Sequence, residues 1–488
     1  MKPRTIRSRL VVLTLAVLVC GSVHAKFYQM GTASGPKLIL HLDFNTCQMR
    51  KEVVIRHLRA AAEYGYTAIL WEIEDKVRWE TCPECVHPDA FSKDEFKEIL
   101  AEADRLGLEP IPLMQTFGHA EYVLNQTRYS TWREQVGNPT CYCVSRTEVR
   151  EFQKRWLLEY LDLFGPKVRD FHLGGDEAHA FGSCRVCSKR NRFDLYVEHL
   201  NGLADVLRAR GIRPGIWCDM VVKDGTQQDA DKFPRDITIW FWDYYCGCKY
   251  KNLMPWADRL PMLLDRGFRV IFTPTTSCSW DSPFLPRYGD HSLNVDYAAN
   301  VVRQKGLYGL AVSSWSVHLF PKFIQYPLWK FAAKRLRNPS GRVEEDLPAD
   351  FNLLDRLTRW DRQLNEFDDR MGDFGMKWAR PHPAGTALGR ARAFNYDGLP
   401  TPERIHADTA KKRTALAEYE AVRERTPFSD AIVRGVKLVI SHQEKIAELL
   451  ETGKRPGDLP EEETRAYYGI EQTEFSAESA SSLIWTSL

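Results

Sequence analysis

Two adjacent carboxylates, Asp176 and Glu177, are the side chains of this sequence whose types and spacing most clearly suggest chemistry. They follow a short apolar run and a glycine pair, Gly174 and Gly175, which allows the backbone to turn sharply. Neighbouring residues at a strand end point in different directions, so the two carboxylates can have different tasks. A solvated acidic turn could also contain such a pair, but the strand and the glycines before it favour a catalytic site.

Sugar chemistry is the reaction class that these acids suggest, together with the 14 tryptophans and 19 tyrosines of the chain. Tryptophan rings can face sugar rings, although core packing is their commoner use. Glycoside hydrolysis normally uses two carboxylates on opposite sides of the scissile bond, and two adjacent acids fit that arrangement poorly. They better suit a reaction in which one carboxyl group serves the leaving oxygen and the 2-acetamido group of the substrate attacks the anomeric carbon. The second carboxylate would then stabilise the acetamido nitrogen as it becomes positive.

Eight apolar runs, each followed by loop or helix signals, predict the elements that position these acids. Helical patterns that end at glycines lie between several of the runs, and alternating strands and helices indicate a parallel sheet. Eight such units predict an α/β fold, a closed (β/α)8 TIM barrel with its catalytic groups at the C-terminal strand ends. An open doubly wound sheet is disfavoured, because no glycine-rich phosphate loop opens a first helix. The predicted strands are residues 37–45, 67–72, 109–116, 169–174, 213–220, 237–244, 268–276 and 307–316.

Acidic, histidine and aromatic side chains follow most of these predicted strands. Any one of them is more often a packing residue or part of a solvated loop, but their recurrence at strand ends indicates a site. His119 follows the third predicted strand, and the acid pair follows the fourth. The other candidates for substrate binding are Asp43, Glu74, Trp217, Asp219, Trp242, Tyr244 and Trp315.

The sequence His-Leu-Gly-Gly-Asp-Glu at residues 172–177 resembles the signature of glycoside hydrolase family 20, the β-N-acetylhexosaminidases. The similarity is to the hexosaminidase D-like branch, and it includes residues 71–75, 115–119 and 217–220. It covers roughly residues 37–329, the extent of a single barrel. The family is one in which the substrate's own acetamido group assists the reaction.

This resemblance implies a role for each matched residue. Glu177 would be the general acid that protonates the leaving oxygen and then the base that activates water, with burial against tryptophans helping it to keep its proton. Asp176 would hold the acetamido N–H and stabilise an oxazolinium-like intermediate. His119 would tune the acid together with Glu74 or Asp75. The aromatic wall of the acetamido pocket would consist of Trp217, Trp242 and Trp315.

The sequence departs from the better-known family members at three positions. Asp43 lies near the end of the first strand, where many members have an arginine for the outer sugar hydroxyls. The seventh strand lacks the tyrosine that usually donates to the acetamido oxygen, and Tyr244 or Tyr245 would replace it. Val317 stands two residues after Trp315 in place of a glutamate. The choice between GlcNAc and GalNAc therefore stays open.

Two Cys-x-x-Cys pairs, Cys82 with Cys85 and Cys184 with Cys187, have the spacing of a four-cysteine structural zinc site. In an oxidising compartment such cysteines form disulfides instead, and the sequence leaves both interpretations open. Because the second pair follows the Asp-Glu pair, either link would fix the loop that carries the acids. The chemistry itself requires no cofactor.

The N-terminus is typical of an export signal, because basic residues precede an apolar stretch from Leu10 to Cys20 that is too short for a standard membrane span. This predicts a periplasmic or secreted protein with a signal peptide at 1–25. The barrel would occupy 26–335, and a helical C-terminal region with a mobile tail would occupy 336–488. The net charge of +2 gives no reason to expect nucleic acid or a membrane as partner.

The sequence therefore predicts an exo-acting β-N-acetylhexosaminidase that releases terminal GlcNAc or GalNAc from glycans by substrate-assisted, retaining hydrolysis. A non-catalytic glycan-binding barrel stays open as an alternative. So does a zinc-dependent hydrolase with His172, His179 and the cysteines as ligands. The C-terminal helices would pack against the barrel or against a second subunit, which leaves a homodimer as a further expectation.

Overall fold

The computed structural model describes most of the chain between residues 35 and 470. The predicted signal peptide, Val317 and the acidic tail lie outside the described part. The described residues are 35–45, 48–222, 227–247, 256–278, 281, 284–315, 320–347, 351–358, 401–452 and 460–470.

Eight parallel strands form a closed barrel, which confirms the predicted (β/α)8 architecture. The first barrel strand pairs with the second on one side and with the last on the other, so the sheet has no free edge. The strands are buried over most of their length, as expected of a parallel sheet covered by helices. They are β1 (Lys37–Asp43), β2 (Ala68–Glu72), β3 (Glu109–Leu113), β6 (Asp170–His172), β7 (Arg213–Trp217), β8 (Thr238–Trp242), β9 (Arg269–Thr273) and β10 (Gly309–Val312).

The predicted strands include each of these eight but extend beyond them. The predicted run 213–220, for example, continues past Trp217, where the chain turns into a short helix at Asp219–Val222. The apolar pattern continues there because the residues after the strand are also buried.

Helices surround the barrel, and several have the end signals that their sequences predict. The helix Lys93–Arg105 begins with a capping box between Ser92 and Glu95. The helix Lys51–Tyr64 ends at Gly65, whose φ of 89° is readily adopted by glycine. The α-helices are Lys51–Tyr64, Lys93–Arg105, Glu121–Leu124, Thr147–Phe164, Arg192–Arg208, Asp219–Val222, Gln227–Ala230, Leu260–Asp265, Tyr288–Lys305, Tyr326–Arg337, Phe351–Thr358, Pro402–Val422, Pro427–Thr452 and Glu461–Tyr468.

A β-hairpin that the sequence analysis did not predict lies between the third and fourth barrel strands. It consists of β4 (Arg133–Gln135) and β5 (Asn138–Tyr142), which pair antiparallel. The Tyr142 N–H donates to the carbonyl of Phe117 at 3.0 Å, so the hairpin is attached to the loop that follows β3.

Charged residues at the amino ends of the barrel strands form a compact network. Asp170 accepts from the Lys37 ammonium at 3.0 Å and from two nitrogens of Arg213 at 2.7 Å each. Lys37 also pairs with Glu109 at 2.6 Å. Burial alone would raise the pKa of Asp170, but the hydrogen bonds and charges of Arg213 and Lys37 outweigh it and hold that pKa below its usual value.

The C-terminal helices contact the barrel. The Tyr467 hydroxyl donates to the carbonyl of Phe284, and Arg50 donates to the carbonyl of Ile470 at 2.7 Å. The helical character predicted for this region is confirmed for the residues of it that the structure describes, whereas a homodimer stays a prediction. Within the described residues, no helix combines the length and apolar character needed to cross a bilayer.

Candidate active site

The two glycines after β6 place the acid pair at the carboxyl end of the barrel. Gly174 and Gly175 have φ angles of 62° and 92°, which most other residues adopt only with strain. A Cβ on Gly174 would lie 2.1 Å from Oε1 of Gln115, so the neighbouring strand leaves no room for a side chain. The turn therefore directs Asp176 and Glu177 into the loop region above the strands.

His119, in the loop after β3, lies beside both acids. Its Nε2 is 3.3 Å from Oδ2 of Asp176 and 3.5 Å from Oε2 of Glu177. Burial disfavours a charged His119, but the two carboxylates outweigh it and raise its pKa well above the usual value. His119 therefore favours its protonated, cationic form beside the two carboxyl groups.

The two acids differ in exposure, as adjacent residues with different tasks should. The side chain of Asp176 is 9% exposed and that of Glu177 is 41% exposed. The expected burial of Glu177 against tryptophans is therefore wrong, because the turn at the glycines directs Asp176 inward and Glu177 outward. The Asp176 Oδ1 atom is buried and has no hydrogen-bond partner within the described part of the chain.

Backbone strain is concentrated at the candidate residues. Among the described residues, the non-glycine residues with positive φ are Glu74 at 35°, His119 at 50° and Glu177 at 42°. Such conformations are costly for residues other than glycine and tend to occur at functional sites. Each of these residues lies in a loop that follows a barrel strand.

Asp219 holds the backbone of the acid loop. Its Oδ2 accepts from the Glu177 N–H at 2.9 Å, and its Oδ1 accepts from Nε1 of Trp242 at 3.2 Å. Burial, followed by the negative charge of Asp176, raises the pKa of Asp219 to about 7. Asp219 thus connects the acid pair to the aromatic residues of the neighbouring strands.

The predicted aromatic residues form a continuous cluster. The Trp217 and Trp315 rings are 5.8 Å apart, and the Trp242 and Tyr244 rings are 5.0 Å apart. Nε1 of Trp315 donates to the Tyr244 hydroxyl at 2.9 Å. Burial raises the pKa of Tyr244 well above its usual value, and the negative charge of Asp176 contributes. Tyr244 is thus the tyrosine that the structure brings into the cluster close to Asp176.

Comparison with known proteins relates the barrel to one family of enzymes. Residues 70–305 match the family model described as "Glycosyl hydrolase family 20, catalytic domain". These residues, just under half of the chain, are similar to the catalytic domain of that family, and they include most of the barrel.

The individual relatives of this barrel are distant. The chain is 27% identical to Hexosaminidase D of Homo sapiens over 217 residues, which is 42% of this chain and 44% of the relative. It is 30% identical to Hexosaminidase D of Bos taurus over 190 residues, which is 37% and 55% of the two chains. The chain thus spans about half the length of these curated relatives.

A solved structure supports the same fold. The β-N-acetylhexosaminidase from Bacteroides fragilis shares 18% identity, with a TM-score of 0.50 over 63% of this chain and 68% of that one. At this identity the likeness concerns the fold alone, so the assignment of residues depends on the geometry of the site.

Glu72, at the end of β2, is an acid of the second strand whose pKa depends on the charges of Asp176 and His119. It accepts from Gln115 and pairs with Nε2 of His41, each at 2.9 Å. Burial, followed by the negative charge of Asp176, raises its pKa to about 7, and the charge of His119 opposes the rise. The resemblance had implied Glu74 or Asp75 in this position beside His119.

His41 is a site residue that the sequence analysis missed. Its ring is buried and lies 4.6 Å from that of Trp315. Burial lowers the pKa of His41 to about 4, so the ring is neutral near pH 7. The signal was present in the alternation of β1, because His41 and Asp43 must point to the same side of the strand.

Two other predicted binding residues, Asp43 and Glu74, are buried at the ends of the first two strands. Asp43 accepts from the backbone N–H of Asn45 at 2.7 Å. Burial, followed by the charges of Glu72 and Asp43, raises the pKa of Glu74 well above its usual value. Glu74 is therefore a buried acid that favours its protonated form.

The predicted four-cysteine zinc site is wrong. Cys82 and Cys85 form a disulfide with each other, beside a short 3-10 helix after β2. Cys184 and Cys187 are free thiols in the loop after the acid pair, and they meet a third thiol that the hairpin supplies. Spacing along the chain identified two pairs correctly but could not show which elements the fold brings beside each.

His172, a ligand in the alternative zinc-dependent hydrolase, is part of the barrel interior. It is fully buried, with its ring 4.3 Å from Trp217 and 5.0 Å from Trp240. Its Nδ1 accepts from the Gly174 N–H at 2.9 Å. This packing supports the core role over the ligand role.

Proposed function

We propose that this barrel is an exo-acting β-N-acetylhexosaminidase that releases terminal GlcNAc or GalNAc from glycans. The observation that carries the proposal is the unequal acid pair. Asp176 is buried and its Oδ1 has no hydrogen-bond partner among the described residues, while the Glu177 side chain next to it is 41% exposed. The sequence of the N-terminus supports action outside the cytoplasm.

In the first step, the Glu177 carboxyl group donates its proton to the glycosidic oxygen as the bond to the anomeric carbon breaks. The carbonyl oxygen of the substrate's acetamido group attacks the same carbon from the opposite face. The acetamido N–H donates to Oδ1 of Asp176, and the carboxylate stabilises the positive charge that develops on the ring formed.

In the second step, the Glu177 carboxylate removes a proton from water as the water attacks the anomeric carbon. The acetamido oxygen leaves, and the sugar is released with its original anomeric configuration. Because one carboxyl group serves both steps and the substrate supplies the nucleophile, the site needs no second carboxylate across the sugar.

The surrounding residues keep the pair in its two roles. The His119 cation lies between the carboxylates, so it reduces the repulsion that would otherwise accompany ionisation of Glu177 beside Asp176. Asp219 fixes the Glu177 backbone by accepting its N–H. The half-buried Trp315 and the Tyr244 hydroxyl that it contacts are suited to bind the acetamido group.

A screen of three aryl β-glycosides tests the class, the sugar and the acetamido requirement together. The substrates are the N-acetylglucosaminide, the N-acetylgalactosaminide and the plain glucoside with the same aryl leaving group. We expect turnover of at least one N-acetyl sugar, and a kcat/KM for the glucoside lower by about 100-fold or more, since intramolecular attack is lost. Equal activity on the glucoside, or saturable binding of all three without hydrolysis, would overturn the proposal.

A further inference from the structure

A second cluster of reactive side chains lies beyond the acid pair in the same loop. It consists of Cys184 and Cys187 from that loop, with Cys143 and Glu134 from the hairpin, and one ligand atom from each lies within 4.8 Å of the others. We propose that these four residues form a structural zinc site that joins the hairpin to the loop carrying Asp176 and Glu177.

The distances between the sulfur atoms match a shared metal ion. The Cys143 sulfur is 3.5 Å from that of Cys184 and 3.7 Å from that of Cys187. Four ligands placed tetrahedrally around zinc, with Zn–S bonds near 2.3 Å, put their sulfurs about 3.8 Å apart. A disulfide would require about 2.05 Å and would use only two of the three thiols.

Glu134 supplies the second, independent observation. It is 2% exposed, and its Oε1 accepts from the Cys184 N–H at 3.1 Å. Its Oε2 atom is buried and has no hydrogen-bond partner within the described ranges. A buried carboxylate oxygen beside three thiols is costly unless a cation neutralises it.

The Cys184-x-x-Cys187 segment is also arranged as a metal-binding turn. The Cys187 N–H donates to the Cys184 sulfur at 3.3 Å, and the Cys187 thiol donates to the Ser145 hydroxyl oxygen at 3.1 Å. The backbone hydrogen directed at the Cys184 sulfur stabilises a thiolate there, which is the form that binds metal.

The ligand set favours zinc and a structural role. Three thiolates and one carboxylate complete a tetrahedral zinc shell, and soft sulfur ligands disfavour magnesium or calcium. With four protein ligands there is no open position for water, so the ion would not perform the hydrolysis. This separates the site from the zinc-dependent hydrolase considered above.

The position of the proposed zinc site also affects the acid pair. The hairpin that carries Glu134 and Cys143 is hydrogen-bonded to the loop of His119 through Tyr142 and Phe117. The ion would therefore fix the acid loop against the hairpin, and through it against the segment that presents His119. This consequence rests on the proposed function, whereas the presence of the ion does not.

Metal analysis of the purified full-length chain tests the site directly. We expect about one zinc per chain, released when a mercurial reagent modifies the thiols. In the cobalt-substituted protein we expect thiolate-to-cobalt charge-transfer absorption and tetrahedral ligand-field bands. A chain that lacks zinc and shows, by peptide mass analysis, a disulfide from Cys143 to Cys184 or Cys187 would overturn the proposal.

Paired variants locate the ion. The variant Cys184→Ser/Cys187→Ser should lose the zinc, and Glu134→Gln should bind it more weakly. The matched control Cys82→Ser/Cys85→Ser changes the other Cys-x-x-Cys pair and should keep the full zinc content. Retention of zinc by the first variant, or its loss from the control alone, would contradict the assignment. If the first variant does not fold, the cobalt spectrum of the unchanged protein decides the question.

Discussion

The two ends of the barrel contain similar buried acids in opposite electrostatic situations. At the amino end, Asp170 is matched by Lys37 and Arg213, and its pKa is held below the usual value. At the carboxyl end, Asp176 and Glu177 share His119, and one oxygen of Asp176 has no partner in the described structure. At the amino end the charge of Asp170 is matched by the protein itself, whereas in the proposed function a substrate completes the carboxyl end.

The same difference explains the raised pKa values at the carboxyl end. Burial and the charge of Asp176 raise the pKa of Glu72 and of Asp219 to about 7. A cluster of unmatched acids opposes folding, so it is expected where function requires it. Substitutions at the two ends should therefore separate stability at one end from catalysis at the other.

The largest effect is expected for Glu177→Gln at the carboxyl end. Glutamine keeps the shape of the side chain but can neither donate nor accept the catalytic proton. We expect kcat on a substrate with a poor leaving group to fall by about 1,000-fold, within the usual range for general acid–base catalysis. The melting temperature should be unchanged or higher. Full activity in this variant would remove Glu177 from the mechanism.

The matching change at the amino end is Asp170→Asn. It leaves Lys37 and Arg213 without their shared carboxylate, and breaking such a buried pair costs about 3 kcal/mol of unfolding free energy. Because the folded pKa of Asp170 is below 3.8, its contribution is present above that pH and is lost as the pH falls through the folded value. Denaturant unfolding at pH 7 measures the loss of unfolding free energy, and the same experiment in acid measures how that loss depends on pH. If the variant folds with unchanged stability and loses activity instead, the contrast drawn between the two ends of the barrel is wrong.

Asp176→Asn should weaken catalysis without weakening the fold. The variant removes the charge that stabilises the acetamido nitrogen, and we expect a loss of about 100-fold in kcat/KM for the N-acetyl substrate. It removes the anion that helps to raise the pKa of Glu72 and Asp219, but it also removes a charged partner of His119, so the net change in stability should be small. An activity loss on the N-acetyl substrate no larger than on the glucoside would contradict the assigned role.

The smallest effect concerns pH and Asp219. Its folded pKa of about 7 exceeds its ordinary value of 3.8, so the folded protein binds this proton more tightly than the unfolded chain. Stability from this group is therefore present at low pH and declines as the pH rises from about 4 towards and beyond 7. We expect Asp219→Asn to flatten, but not abolish, the fall in melting temperature with pH, since Glu72 titrates similarly. An unchanged pH slope would contradict this account.

The sequence alone predicted the barrel and the position of the acid pair, because both depend on local patterns of residues. Each barrel strand is an apolar run, and the turn at Gly174 and Gly175 is encoded by the glycines themselves. The hairpin of β4 and β5 was missed because Arg133–Gln135 is short and polar and becomes a strand only by pairing. Without the hairpin, Glu134 and Cys143 could not be recognised as partners of the second cysteine pair.

The exposure and charge of the site residues were harder to predict from the sequence than their positions in the fold. His119, Asp219 and Tyr244 lie where the strand ends predicted. That Glu177 faces solvent and Asp176 faces inward follows from the backbone angles of the turn, which no pattern of residue types reveals. The resemblance implied that Glu74 or Asp75 would act with His119. Glu72 instead contacts His41 and Gln115, because it lies at the end of β2, which pairs with β1 and β3.

The identity of the nucleophile is the centre of the account, and replacing the hydrogens of the acetamido methyl group by fluorine tests it most directly. Successive fluorine atoms withdraw electrons from the carbonyl oxygen and change the size of the group little. If that oxygen attacks the anomeric carbon, kcat/KM for aryl N-acyl-β-hexosaminides should fall steeply and steadily from acetyl to trifluoroacetyl. A kcat/KM that does not depend on the number of fluorine atoms would contradict attack by the substrate's own amide.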